Sequence, residues 1–236
     1  MTQGSLHETV RGADAVLFDL FHTLTSIEAV MKWTPPTHEI LGVTQEAWLE
    51  ELFGNSRDRL IGKVRDPLTM IGIMARALNP GVSDDVIEAA TENRKRRFEN
   101  ALTRIPEASR NVLAGLKAGG KKLGLVSNAD AMEVASWDRS PVSGLFDCTV
   151  FSCDVGYAKP EPEIYRICLD KLRVEPAAAV YVGDGGSDEL RGARDLGMTT
   201  VMMAGVIKEI WPERIEPRLP YADFVIESLY ELLAES

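Results

Sequence analysis

Four short segments of the 236-residue chain carry side chains suited to chemistry on an anion. The first is Leu17-Phe18-Asp19-Leu20-Phe21-His22-Thr23-Leu24. An apolar run that ends on a carboxylate puts Asp19 at a strand tip, where it can act as a nucleophile, as in enzymes that pass through an aspartyl phosphate. Thr23 then offers a hydroxyl to an anionic oxygen. The second segment, Ser127-Asn128, closes another apolar run and offers hydrogen-bond donors. The third, Gly156-Tyr157-Ala158-Lys159-Pro160-Glu161-Pro162, supplies Lys159, an ammonium able to offset charge on a phosphoryl group and on the nucleophile. The fourth runs Val182-Gly183-Asp184-Gly185-Gly186-Ser187-Asp188-Glu189. With its strand beside that of Asp19, Asp184 would make two carboxylates face one point. Such hard oxygen ligands suit Mg²⁺, which keeps several waters and bridges to substrate phosphate.

These segments can meet only if one sheet collects their strand ends. Short apolar runs at 15–18, 122–126, 149–151, 179–182, 199–203 and 224–226 read as strands buried on both faces, the pattern of a parallel sheet. Helical patterns at 107–118, 161–172, 187–196 and 228–234 lie between them. This alternation predicts an α/β doubly wound parallel sheet, with its ligand beyond the carboxyl ends of the strands. The stretch from about 25 to 105 breaks the alternation, with helices near 44–53, 67–78 and 83–102; Ser83-Asp84-Asp85 is a plausible helix start. The predicted organisation is therefore a core of residues 1–24 and 105–236 and an inserted all-helical cap over 25–104.

Composition narrows the partners. Lys plus Arg is 26 against 36 for Asp plus Glu, a net charge of −10, and hydrophobic residues make up 45%. The chain can bury a full core, so intrinsic disorder is excluded. There is no basic excess to neutralise nucleic-acid phosphates. The one basic run, Arg94-Lys95-Arg96-Arg97, has acidic neighbours and reads as a solvated helix face. No apolar stretch reaches the roughly 18 residues of a membrane span, and the N-terminus lacks a signal-peptide pattern. Cys148, Cys153 and Cys168 form no CxxC pair and read as reduced core thiols, so a cytoplasmic location is expected. An anionic substrate of so acidic a chain needs a local device that reverses the field.

Taken together and in this order, the four segments resemble the signature of the haloacid dehalogenase-like (HAD) superfamily of hydrolases. The resemblance covers roughly residues 12–24 and 105–230, and the insertion matches by position and helical character only. It implies a Rossmann-like core with a cap, and Asp19 as nucleophile assisted by Lys159. Thr23, Ser127 and Asn128 would bind the substrate. Mg²⁺ would be held by Asp19, the backbone carbonyl of Phe21, Asp184 and an acid of the fourth segment. Asp188 fits the shorter of the superfamily's two spacings and Glu189 the longer. It further implies a small anionic substrate, no nucleic-acid or membrane partner, and a monomer or homodimer.

One position departs from the pattern. The superfamily's phosphatases carry a second Asp two residues after the nucleophile as general acid and base, and here that residue is Phe21. The loss is worth about 10²–10⁴-fold in rate and falls hardest on poor leaving groups. An aromatic residue there is similar to the 2-haloacid dehalogenases, whose halide leaves without a proton and which use no metal. Those enzymes tend to carry Ser and Asn where Gly183-Asp184-Gly185 stands here, so Asp184 favours the metal-dependent branch. Tyr165 discriminates poorly between them. The expected activity is Mg²⁺-dependent hydrolysis of a small phosphorylated metabolite. The alternatives are a 2-haloacid dehalogenase and a non-catalytic ligand-binding protein. His22 is expected to be a loop or cap-facing residue, and Trp33 to His38 to line the cleft between cap and core. Arg57, Arg59, Arg65 and the Arg94–Arg97 run are cap cations, read as surface charges of the kind helical caps carry without function, with a clamp on an anion as the alternative.

Overall fold

In the computed structural model, which describes residues 5–28 and 34–233, the apolar runs pair into one six-stranded parallel sheet. Helix α1 (Leu6–Gly12), closed by a reciprocal Ser5–Glu8 capping box, leads into β1 (Ala15–Phe18). Five helices follow: α2 (Thr37–Leu41), α3 (Gln45–Gly54), α4 (Arg57–Leu60), α5 (Pro67–Leu78) and α6 (Asp84–Thr103). Helix α7 (Glu107–Ala118) returns the chain to β2 (Lys122–Ser127) and β3 (Cys148–Phe151). Then come α8 (Ser152–Val155), α9 (Pro162–Leu172), β4 (Ala179–Gly183), α10 (Glu189–Asp195), β5 (Thr199–Met203), α11 (Gly205–Ile210) and β6 (Phe224–Ile226).

The strand order is β3-β2-β1-β4-β5-β6. After β1 the chain builds β2 and β3 on one side, then crosses to build β4, β5 and β6 on the other. The loops after β1 and β4 therefore diverge, and a crevice opens at the carboxyl edge between them. Side chains of β1 alternate between two buried cores. Val16 and Phe18 pack on the side of Val112, Leu113 and Trp137; Ala15 and Leu17 pack on the side of Ile164, Cys168 and Tyr181. All three cysteines are buried free thiols. Among the described residues no helix is long and apolar enough to cross a membrane.

Two of the predicted helices are corrected at their ends. The 187–196 helix begins only at Glu189, because Ser187 and Asp188 hold left-handed backbone (φ 54° and 52°). The 228–234 helix is a single tight turn, Leu229–Leu232, whose buried Leu229 and Leu232 have the three-residue spacing of a 3₁₀ turn.

The inserted helices α2, α3, α5 and α6 enclose a third apolar cluster, including Trp48, Met70, Ile71, Met74 and Ile87, which Met132 of the core also joins. Charge fastens them to the core as well. Arg59 donates to Asp130 at 2.7 Å and Arg94 to Glu133 at 2.8 Å, with all four residues buried. Asp130 also accepts the main-chain N–H groups of Met132 and Glu133, which fixes its position. This corrects the reading of the basic run. Lys95 and Arg96 are exposed, but Arg94 and Arg97 lie on the buried stripe of α6 with Ile87, Ala90, Phe98 and Ala101. Arg59 is likewise buried rather than a surface cation.

Breaking a buried pair strands its partner's charge. Asp130→Ala should therefore lower the unfolding free energy by about 3–5 kcal/mol in urea titration. Asp58→Ala, which removes an exposed pair with Lys63, should change it by less than about 0.5 kcal/mol.

Candidate active site

Asp19 leaves β1 directly, and its N–H donates to Val182 O at 2.9 Å, joining the tip of β1 to that of β4. The following loop turns back on itself: His22 takes left-handed backbone (φ 63°) and its N–H donates to Thr25 O at 2.6 Å. Thr23 is thereby buried beneath the site, its hydroxyl 3.5 Å from Asp19 Oδ2. Thr25 ties the loop to the inserted helices by donating to Ala101 O at 2.8 Å.

Lys159 comes from the loop before α9 and is held there by Asn128. Asn128 Oδ1 accepts the Lys159 N–H at 2.7 Å, and Asn128 Nδ2 donates to the Lys159 carbonyl at 3.0 Å. Lys159 Nζ then donates to Asp19 Oδ1 at 2.5 Å, to Tyr181 Oη at 3.1 Å and to Glu189 Oε2. Glu189 is itself fixed. Its Oε2 accepts from Tyr181 Oη at 2.7 Å and its Oε1 from the Gly185 N–H at 2.9 Å. Its main-chain carbonyl accepts from Tyr165 Oη at 2.8 Å, so Tyr165 is a core residue that anchors this acid. Burial alone would lower the Lys159 ammonium, but Asp19 and Glu189 outweigh it and hold it well above its ordinary value.

Asp184 stands at the tip of β4 beside Asp19. Gly186 N–H donates to its Oδ1 at 3.0 Å and Arg218 Nη1 to its Oδ2 at 3.0 Å. One oxygen from each of Asp19, Asp184 and Glu189 lies within 4.8 Å of the others. Burial raises Asp19 above the usual carboxylate range, with Lys159 opposing and Asp184 reinforcing the shift. Burial and the charge of Asp19 push Glu189 up to about 8 against the opposing pull of Lys159. Three buried carboxyl groups thus crowd around one point beside Lys159 and Arg218, and such clustered hard oxygen ligands suit a divalent ion, which would favour their ionised forms.

The expected site residues divide accordingly. Asp19, Thr23, Lys159 and Asp184 converge. Ser127, the last residue of β2, is fully buried with its hydroxyl unpartnered. Asn128 acts on the main chain of Lys159. Phe21 packs edge-on against Phe98 with ring centroids 5.4 Å apart. Asp188 does not join the cluster: its left-handed backbone turns it out to Arg191 at 2.8 Å, with its side chain 60% exposed. Glu189 occupies the interior place instead. Sequence reasoning missed Tyr181, Arg218 and Glu28. Tyr181 looked like one more apolar strand position, and Arg218 lies in a stretch without helix or strand periodicity.

Above these groups lies a cavity of about 690 Å³ between the sheet edge and the inserted helices, lined among others by Asp19, Phe21, His22, Trp48, Arg97 and Phe98. Thr37 and His38 reach it as expected, whereas Trp33 lies outside the described residues. His22 Nε2 is 3.1 Å from Glu28 Oε2, and its ring stands edge-on to Trp211.

A family profile described as haloacid dehalogenase-like hydrolase matches residues 13–197. The chain is 31% identical over 125 residues to the glyceraldehyde 3-phosphate phosphatase of Methanocaldococcus jannaschii, covering 51% of each chain. It spans about half the length, or less, of the first curated relatives it matches. A solved dehalogenase shares the fold at TM-score 0.69 and 21% identity, over 95% of this chain and 98% of that one. A HAD phosphatase from Thermococcus onnurineus does so at TM-score 0.62 and 26% identity, over 93% and 95%.

The pair beside the site gives a pH prediction. Burial would raise Glu28, but the hydrogen bond and charge of His22, helped by Ser26, hold it down at about 2. A depressed carboxylate stabilises the fold above its ordinary value near 4.5, and that contribution is lost as pH falls toward 2. Over this window wild type should lose about 1–2 kcal/mol more stability than Glu28→Gln in chemical denaturation.

Proposed function

The chain belongs to the haloacid dehalogenase-like hydrolases, and on that premise we propose that it hydrolyses a small phosphorylated molecule through an aspartyl phosphate on Asp19, with Mg²⁺ as cofactor. The observation that carries this reading is Asp184. Its carboxylate lies beside Asp19 where charge balance calls for a further cation. Asp19 and Asp184 would hold the ion, with the Phe21 carbonyl as the further ligand the superfamily leads one to expect. Glu189, whose two oxygens are already engaged by Lys159, Tyr181 and Gly185, serves to place Lys159. When bound, Mg²⁺ neutralises charge on the phosphoryl oxygens.

In the proposed reaction Asp19 attacks phosphorus in line. The bond from aspartate oxygen to phosphorus forms as the bond from phosphorus to the leaving oxygen breaks. Lys159 stabilises the charge gathered at the phosphoryl group and keeps Asp19 oriented. The hydroxyls of Thr23 and Ser127 are available to phosphoryl oxygens, and the unpartnered Ser127 Oγ is a donor in need of one. Water then attacks phosphorus, inorganic phosphate leaves and the carboxylate is restored.

Phe21 can neither give a proton to the leaving oxygen nor take one from water. The reading therefore favours substrates whose leaving group departs unprotonated, such as aryl or acyl phosphates. The same residue supports a second reading, attack of Asp19 on the halogen-bearing carbon of a 2-haloacid, which likewise needs no proton at the leaving group. The M. jannaschii relative and the acid at Asp184 support the phosphatase reading.

A panel of aryl phosphates, alkyl phosphates and 2-haloacids, each with Mg²⁺ or with chelator, separates the two. Aryl phosphates should be hydrolysed only with Mg²⁺, and Asp19→Asn should abolish turnover. Halide release from 2-chloropropionate in the presence of chelator would replace this reading with the second. Phe21→Asp should raise turnover of alkyl phosphates by about 10²-fold or more and that of aryl phosphates far less.

A further inference from the structure

The cavity above Asp19 holds a further cation. Arg97 lines it from α6 and is only 8% exposed. The other buried cations of this cavity are matched, Arg59 by Asp130, Arg94 by Glu133 and Lys159 by Asp19 and Glu189, as is the half-buried Arg218 by Asp184. Among the described residues Arg97 alone of these has no carboxylate within ion-pair distance. Among the described residues its Nε has no hydrogen-bond partner, and its one hydrogen bond is a long 3.4 Å one from Nη1 to Thr37 Oγ1. A guanidinium has five N–H donors, so most of its capacity is unused. Burial and then the charge of Arg94 disfavour the ionised form, and the charge of Glu28, which forms no ion pair with Arg97, only partly opposes them. A buried cation without a partner is costly and fits a site that a ligand anion completes.

Aromatic rings form part of the same lining. Phe21 meets Phe98, and Arg94 lies over the Phe98 ring at 4.7 Å and the Trp48 ring at 5.9 Å, so Arg94 faces aromatic rings and Glu133 while Arg97 remains open to a ligand. Trp211 and Leu52 complete the walls. A cavity of this size takes a small organic molecule.

We propose that Arg97 is a substrate-binding residue that pairs with a carboxylate at the far end of the substrate. The substrate class is then a phosphomonoester whose apolar, ring-sized body ends in a carboxylic acid. A singly charged carboxylate matches one guanidinium and accepts two of its N–H groups side by side. A second phosphate fits less well, because Glu28 and Glu133 line the same cavity and would oppose a dianion. The substrate class rests on the phosphatase reading, whereas the carboxylate subsite does not.

The test has a binding arm and a kinetic arm. Thermal shift and calorimetry on the full chain compare benzoate with benzamide, which has the same shape and no charge. Benzoate should bind at least about 10-fold more tightly than benzamide, and Arg97→Met should remove that preference. The same variant without ligand should melt at or above the wild-type Tm, since it loses an unpaired buried charge. Should Arg97→Met fail to fold, Arg97→Gln takes its place with the same expected loss of preference. Equal binding of benzoate and benzamide, or a benzoate preference that survives in Arg97→Met, overturns the proposal. In the kinetic arm, kcat/KM with Mg²⁺ for 4-carboxyphenyl phosphate over phenyl phosphate should exceed about 10 in wild type and fall to about 1 in Arg97→Met. An unchanged ratio overturns the substrate class. If neither ester is hydrolysed but Arg97-dependent benzoate binding is present, the phosphatase reading fails and the subsite stands.

Discussion

The structure turns on one buried ammonium. Lys159 lies among Asp19, Glu189 and Tyr181 with almost none of its side chain exposed, and it binds four parts of the chain into one unit. It reaches Asp19 at the tip of β1, Tyr181 within β4 and Glu189 at the start of α10, while Asn128 at the end of β2 grips its main chain. Desolvating that charge is tolerable only because two carboxylates and a phenol surround it. The same arrangement keeps Asp19 in one orientation, so the contacts that stabilise the strand tips also prepare the site.

Electrostatics also explains how an acidic chain accommodates an anion. Part of the excess of acid over base that the composition shows lies at this sheet edge, where three carboxylates face two cations. Burial, reinforced by the neighbouring carboxylates and opposed by Lys159, raises Asp19 and Glu189, and a divalent cation would favour their ionised forms. On the other side of the cavity the balance is neutral through Arg59, Arg94, Asp130 and Glu133, and Arg97 is left over. The cavity is therefore lined by clustered carboxylates at Asp19, Asp184 and Glu189 and, elsewhere, by a guanidinium that has no ion pair among the described residues.

Much of this was legible in the sequence, for physical reasons. Parallel strands buried on both faces leave unbroken apolar runs, so β1, β2 and β4 and the polar residues at their ends could be read directly. Asp184 beside Asp19 followed once the sheet was inferred. The side chain that completes the cluster did not, because the choice between Asp188 and Glu189 depends on left-handed backbone at Ser187 and Asp188 that spacing does not reveal. The burial of Arg94 and Arg97 was hidden by their charge. The stripe of Ile87, Ala90, Phe98 and Ala101 on the same helical face carried the signal, but a run of four basic residues read as solvated outweighed it. Arg218 and Tyr181 are placed only by tertiary contacts, and no local pattern marks them.

The central claim is that Asp19, held by Lys159, carries the phosphoryl group during turnover. Acid quenching during hydrolysis of an aryl phosphate with Mg²⁺, followed by peptide mapping, tests it most directly. The account predicts a hydroxylamine-labile phosphate on Asp19, absent when Mg²⁺ is withheld. Sustained hydrolysis with no phosphoprotein trapped, or with the phosphate on another residue, would contradict it.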